Sequence, residues 1–267
     1  MIELASGRLA KMLIEKTEPL LYHLSVGDEK IDMNAYLGKD IRIISNGEIR
    51  CTHCQRKTNK SFNQGYCFPC FKKLAQCDRC MMSPELCHFS QGTCREPEWA
   101  EQFCMQEHIV YLANSSGLKV GITRHTQVPV RWMDQGAIQA LPIFSVSTRQ
   151  LSGLVEVIMK EWVADKTNWR KMLKNDIEDE SLEVWRDRLK QYIPDEAKAY
   201  FIENNKETHI DFPVHKDPEK PKSLNIKKEH QYAGKLVGIK GQYLIFEDET
   251  VFNIRANEGL VVNITIN

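Results

Sequence analysis

The chain has 267 residues, 42% of them hydrophobic and 27% charged, and its 36 Lys and Arg balance 36 Asp and Glu to a formal net charge of zero. That length suggests two or three small units in place of one large core, and the charge balance excludes binding driven by global charge, so any polyanion contact must come from local patches. No apolar run approaches a membrane span, and the stretch from Met1 to Leu24 is too interrupted by charge for a signal peptide.

In chain order, residues 1–50 combine an expected helix over 9–16 with strand signals such as 41–44 ahead of the Asn46-Gly47 turn. Residues 51–107 are rich in cysteine and poor in regular periodicity. Residues 108–174 read as two short strands followed by helices. Residues 175–212 form a charged helical segment: an acidic block (Asp176, Glu178, Asp179, Glu180), read as a solvated helix start, precedes Leu182, Val184, Trp185 and Leu189 at helical spacing. The stretch 213–230, with three prolines, many lysines and few apolar residues, reads as a linker. Residues 231–267 alternate, giving four short strands separated by Lys-Gly, Glu-Asp-Glu and Asn-Glu-Gly turns. A β-barrel or meander of about thirty-five residues is marginal alone, so it is expected to complete its sheet with strands from the first fifty residues. The expected fold class is α+β: a small mixed sheet with flanking helices, a cysteine-rich module, and this β module formed by the termini.

Eight of the nine cysteines fall between Cys51 and Cys94. Cys51-x-x-Cys54 and Cys67-x-x-Cys70 are separated by twelve residues, a zinc-ribbon or knuckle spacing in which each tight loop presents two thiolates to one tetrahedral ion. Cys77-x-x-Cys80 follows, then Cys87, His88 and Cys94. Sequential pairing gives one Zn²⁺ site from Cys51, Cys54, Cys67 and Cys70 and a second from Cys77, Cys80, Cys87 and Cys94. An interleaved set of Cys51, Cys54, Cys77 and Cys80 stays open, with His88, Cys104 and His108 as alternates. Disulfides favour small secreted chains; paired free cysteines without an export signal point to a reducing cytoplasm and to structural metal. Arg56, Lys57, Lys60, Lys72 and Lys73 alternate here with Phe62, Tyr66, Phe68 and Phe71, the mixture that grips phosphates and stacks bases.

Residues 109–113 and 118–122 are β-branched or aromatic runs about an Asn114-Ser-Ser-Gly117 hairpin signal. Beyond them, Leu151, Leu154, Val155, Ile158, Met159, Trp162 and Val163 form the apolar stripe of an amphipathic helix, with Trp132 and Trp162 read as core. Tyr111, Lys119, Arg131, Glu156 and Asn168 accompany these elements in fixed order.

That order resembles the GIY-YIG nuclease superfamily over roughly sixty residues. Ile109-Val110-Tyr111 stands where those proteins have Gly-Ile-Tyr, and Lys119-Val120-Gly121-Ile122-Thr123 where they have Tyr-Ile-Gly-x-Thr. Arg131, Glu156 and Asn168 fall at the helical arginine, the metal-binding glutamate and the closing asparagine. Two departures touch the general base: Lys119 replaces the second tyrosine, and Gln135-Gly136 stands where a histidine is often found. The resemblance implies Mg²⁺ or Mn²⁺ held by Glu156, Arg131 clamping the phosphate, and Tyr111 serving as base or positioning water, with Lys119 lowering its pKa by charge. Arg124, just after the second strand, joins the cations assigned to nucleic acid. Over its whole length, through KSFNQGYCFPCF (60–71), GTCREPEW (92–99), VYLANSSGLKVGITR (110–124), ADKTNW (164–169) and GIKGQYLIFE (238–247), the chain also resembles an uncharacterised bacterial family that joins cysteine pairs to such a segment. Expected partners are DNA or RNA and no membrane. Two functions stay open: a metal-dependent endonuclease, and a zinc-stabilised nucleic-acid-binding or adaptor protein without catalysis.

Overall fold

The computed structural model describes residues 2–266. The segments read from composition resolve into two compact units, Met1–Lys72 with Asp211–Asn267, and Lys73–Ile210. The fold is mixed α+β, and no helix among the described residues is long and apolar enough to cross a membrane.

The first unit is built on a nine-stranded sheet. Its order runs Lys222–Ser223, Thr250–Asn253, Tyr243–Phe246, Gln231–Lys240, Asp40–Ile44, Val261–Ile266, Ile2–Glu15, Leu21–Val26, Glu29–Asp32. This order is linear, so among the described residues the sheet does not close into a barrel. The four strands expected after residue 231 are present, and Asp40–Ile44 is threaded between Gln231–Lys240 and Val261–Ile266 by antiparallel ladders on both sides. Leu9, Met12, Tyr22, Leu24, Ile43, Leu244 and Phe252 are fully enclosed in its core.

Two expectations fail in this unit. The helix over 9–16 is instead the second half of a fourteen-residue strand, Ile2–Glu15. A register shift between Ala10 and Leu13 inserts a bulge, so the buried positions run Ala5, Leu9, Met12, Ile14, and the steps of four and three imitate a helical stripe. The bulge also takes the Met12 backbone out of the ladder, and the buried Gln242 side chain replaces the missing partners. Its Oε1 accepts from Met12 N at 2.9 Å and its Nε2 donates to Met12 O at 3.1 Å. The second failure is the linker at 213–230. Lys222–Ser223 pairs in parallel with Thr250–Asn253, and Leu224 and Ile226 are buried; these apolar residues, few in number, anchor the strap.

The second unit carries a four-stranded sheet ordered Thr208–His209, Gln139–Val146, His108–Asn114, Leu118–Arg124, antiparallel throughout. Every residue of the central strand His108–Asn114 is buried. The helix Arg149–Met159, capped by the Thr148 hydroxyl, packs on the sheet through Val155 and Met159, and Leu182–Leu189 through its two leucines. The expected apolar stripe was too wide: Leu154 is 47% exposed, and Trp162, also 47% exposed, lies on the Tyr192 ring in place of the core. Trp132 is buried as expected. The acidic block is a coil ahead of the Ser181 cap, held where Asn114 Nδ2 donates to the Glu178 carbonyl at 2.7 Å.

Gln242→Leu removes both partners of a buried peptide group while keeping apolar volume. It is expected to lower the unfolding free energy by about 1–3 kcal/mol for each group left unpaired, read from denaturant midpoints; an unchanged midpoint would show the bulge is solvated.

Candidate functional site

In the first unit the strands Ile49–Arg50 and Lys57–Thr58 pair as a hairpin whose turn carries Cys51 and Cys54, and Cys67 and Cys70 lie at the start of the short helix Phe68–Lys73. The four sulfurs all lie within 4.8 Å of one another, a set that can hold a metal ion such as zinc. Zinc–sulfur bonds of about 2.3 Å place tetrahedral thiolates ~3.8 Å apart, and Cys54 Sγ and Cys67 Sγ are 3.7 Å apart. Burial pushes the Cys51 thiol up, but main-chain N–H groups of Cys54, Cys67 and His53 outweigh it and bring it down to about 6, while burial and the neighbouring thiols push Cys70 up. Gly65 makes the loop possible: with φ of +109° it passes so close to Thr52 that a Cβ would lie 2.4 Å from that side chain. The structure thus joins Cys51, Cys54, Cys67 and Cys70, the first of the two sequential sets, and not the interleaved one.

The basic and aromatic residues of this module are partly gathered. Phe62 packs on Phe68 and Phe71, Lys60 Nζ lies 5.1 Å from the Phe62 ring centre, and Lys72 Nζ 5.5 Å from that of the exposed Phe68. Arg56, Lys57 and Lys73 are exposed, and Lys57 pairs with Glu48 at 3.3 Å. Arg124, in the second unit, lies on the Phe103 ring at 4.7 Å.

Also in the second unit, Cys80, Cys87, His88, Cys94 and Cys104 line one cavity, while Cys77 is buried outside that lining. Asp78, Cys80 and His88 bring ligand atoms within 4.8 Å of one another. His108 is wholly buried; its Nδ1 stands 2.7 Å from the Gln106 carbonyl, its Nε2 has no partner, and burial lowers its pKa to about 4.

On the sheet, Tyr111 and Gly121 are cross-strand partners, and a Cβ on Gly121 would stand 2.8 Å from the Tyr111 hydroxyl. Glycine is therefore required for the ring to lie flat across the hairpin. The Tyr111 hydroxyl donates to Gln135 Oε1 at 2.7 Å; Lys119 Nζ donates to the same oxygen at 3.0 Å and to Thr167 Oγ1 at 2.5 Å. Burial, with Arg131 nearby, drops the Lys119 pKa to about 7. Burial raises Tyr111 to about 12 against the lowering pull of Arg131. This corrects the expectation that Lys119 lowers the tyrosine's pKa: desolvation outweighs charge, and the phenol stays protonated at neutrality.

Glu156, on the helix Arg149–Met159, is largely enclosed, and burial raises its pKa. Lys160 Nζ stands 3.6 Å from Glu156 and 3.3 Å from Asp165, a cation between two carboxylates. Arg131 is exposed on the short helix Val130–Asp134, beside Tyr111. Asn168 is a helix cap, its Oδ1 accepting from Arg170 N and Lys171 N. Gln135, read only as a departure from a pattern, is the acceptor shared by Tyr111 and Lys119. Thr167 and Asp165 lie in the ADKTNW stretch (164–169), but nothing there gave either a role, because polar residues in coil carry no periodicity.

The family described as "Protein of unknown function (DUF2797)" matches residues 38–262. No curated protein and no solved structure matches the chain.

Two outcomes are expected. Cys54→Ser is expected to lower bound zinc by about one ion per chain, the content of one tetrahedral site, in elemental analysis; unchanged zinc would exclude the cluster as its holder. Folded Lys119 releases its proton from about 7, whereas the unfolded chain keeps it to 10.5, so its contribution to stability rises with pH across that window. The unfolding free energy of the wild type relative to Lys119→Met should climb over the same range, and a flat difference would place the amine in water.

Proposed function

The chain belongs to the DUF2797 family of proteins of unknown function, and for it we propose a divalent-metal-dependent endonuclease activity on DNA or RNA, carried by the second unit. The observation that supports it most is the convergence of Tyr111 and Lys119 on Gln135 Oε1, with Arg131 beside the tyrosine. A hairpin supplies Tyr111 and Lys119, a short helix Arg131 and, after a third strand, the helix Arg149–Met159 supplies Glu156, in the order of the GIY-YIG resemblance. Zinc at the first unit's thiols is part of this reading, with the Lys60, Phe62, Phe68 and Lys72 surface gripping phosphate and base.

Glu156 and Asp165 fit Mg²⁺ or Mn²⁺, being hard carboxylate donors around a position that Lys160 already marks as favourable for positive charge. An ion held by Glu156 and Asp165 would supply charge neutralisation at the scissile phosphate. Arg131, exposed and forked, holds that phosphate through paired N–H donors. Tyr111 keeps its proton and orients the attacking water. Lys119, which shares the Gln135 acceptor with it, is the group that changes protonation near neutrality, and its neutral amine is the base that takes the proton of the attacking water. Gln135 holds both in register. Asn168 contributes by capping the helix behind the site.

A second reading, binding without cutting, is favoured by the Glu156–Lys160 pair, which already neutralises the metal-binding carboxylate.

The test is cleavage of labelled branched, single-stranded and duplex DNA and RNA with Mg²⁺ or Mn²⁺. Glu156→Ala is expected to reduce the rate at least about a hundredfold, the scale of removing one electrostatic stabiliser. The wild-type rate should rise with pH to a plateau above about 7, and Lys119→Arg, which stays charged, should lose that rise. Salt-dependent binding without cutting would favour the second reading; neither would leave a protein adaptor.

A further inference from the structure

Among the described residues, groups of three or more ligand atoms gather within 4.8 Å at two places: the four thiols of the first unit, and Asp78, Cys80 and His88 in the second. The second group is mixed, one carboxylate with one thiol and one imidazole. All three residues line a cavity of about 10 Å³, room for one water-sized body, together with Cys87, Cys94 and Cys104.

The imidazole is aimed. The Thr93 hydroxyl donates to the His88 carbonyl at 3.3 Å, so its oxygen is left to accept from the ring Nδ1, 2.8 Å away. That contact sets the tautomer and leaves the Nε2 lone pair facing Asp78 Oδ2 at 3.6 Å. Two electron-pair donors at that distance make no hydrogen bond. Atoms that share one tetrahedral ion, with bonds of about 2.0–2.3 Å, stand ~3.3–3.8 Å apart. The carboxylate is also held from behind: Oδ1 accepts from Arg79 N at 2.5 Å, and Oδ2 from Arg95 Nε at 2.6 Å. Arg95 is outside the cavity lining, so it orients Asp78 and does not fill the space. The Asp78 side chain keeps 12% of its surface exposed and His88 25%, which gives an ion a way in from water.

A thiol, an imidazole and a carboxylate together suit Zn²⁺ and are too soft a set for Mg²⁺ or Ca²⁺. We propose that Asp78, Cys80 and His88 bind a single Zn²⁺ ion, with the fourth ligand from one of the thiols that line the same cavity. The cysteine spacing alone points to an all-thiolate second site; the structure brings oxygen and nitrogen to it. The ion would brace a segment with little regular structure of its own, since residues 75–91 are four single-turn helices. That segment is clamped to the helix Arg149–Met159, where Arg149 Nη2 donates to the Met81 carbonyl at 2.9 Å and Gln150 Nε2 to the Cys87 carbonyl at 3.0 Å. The proposal is independent of the nuclease reading.

The test is zinc X-ray absorption and elemental analysis of the full chain. Wild-type zinc is expected to show nitrogen or oxygen neighbours at about 2.0–2.1 Å beside sulfur at about 2.3 Å. Asp78→Ala and His88→Ala should each lose about one zinc per chain, the content of one tetrahedral site, and the zinc that remains should be surrounded by sulfur alone. Wild-type zinc with an all-sulfur shell would overturn the proposal, whether or not the variants fold. So would full zinc content in both folded variants, which would return the second ion to the cysteines.

Discussion

The antiparallel ladder from Ile2↔Ile266 to Arg8↔Val261 ties together residues up to 264 positions apart. Closing a loop of that length is entropically unfavourable, and the compensation comes from what the ladder makes possible. Val261–Ile266 then offers its other edge to Asp40–Ile44, which in turn receives Gln231–Lys240, so each strand of the sheet's middle comes from a different part of the chain than its neighbour. The thiol cluster hangs from this ladder. Arg8, at its last rung, donates through Nη1 to the carbonyls of Cys51 and Thr52, and Gly259 accepts from Arg50 N, so the thiol-bearing loop takes its position from the joined strands.

In the second unit the corresponding constraint is steric. Tyr111 occupies the space that any side chain at position 121 would need, and its hydroxyl therefore ends beside Gln135. Once the phenol is there, Lys119 two residues before the glycine has no route to water and must share the same acceptor. A buried amine without a carboxylate is poorly stabilised as a cation, which is why its protonation moves toward neutrality. The position of the Tyr111 hydroxyl beside Gln135 thus follows from one missing Cβ.

Legibility in the sequence tracks locality. The Asn114–Gly117 hairpin, the four strands after residue 231 and the C-x-x-C pair at 51–70 are set by neighbouring residues, and each could be read directly. Ile2–Glu15 could not, because its bulge produces helical spacing and is repaired by Gln242, 230 residues away. The strap at 213–230 looked like a linker because two apolar residues, Leu224 and Ile226, do most of its anchoring. Tyr111, Lys119, Arg131 and Glu156 were singled out by their order on the chain, and the structure brings Tyr111 and Lys119 to one acceptor. Gln135, Asp165 and Thr167 were not, since their roles depend on where coil segments pass the sheet; Cys104 was visible only as a spare.

The wide ladder also has a consequence for how the protein is made. At about 5–20 residues per second on a ribosome, Ile2 is synthesised roughly 10–50 s before its rung partner Ile266 exists. During that interval the strand Ile2–Glu15 can pair only with Leu21–Val26, and its other edge, with Leu9 and Met12 beside it, is open to any passing strand. Residues 73–210, whose sheet is complete by His209, have no such delay. The first unit therefore stays half-built until residues 261–266 are made, and charges spaced along Ile2–Glu15 (Glu3, Arg8, Lys11, Glu15) disfavour an apolar strand docking on that edge in the meantime.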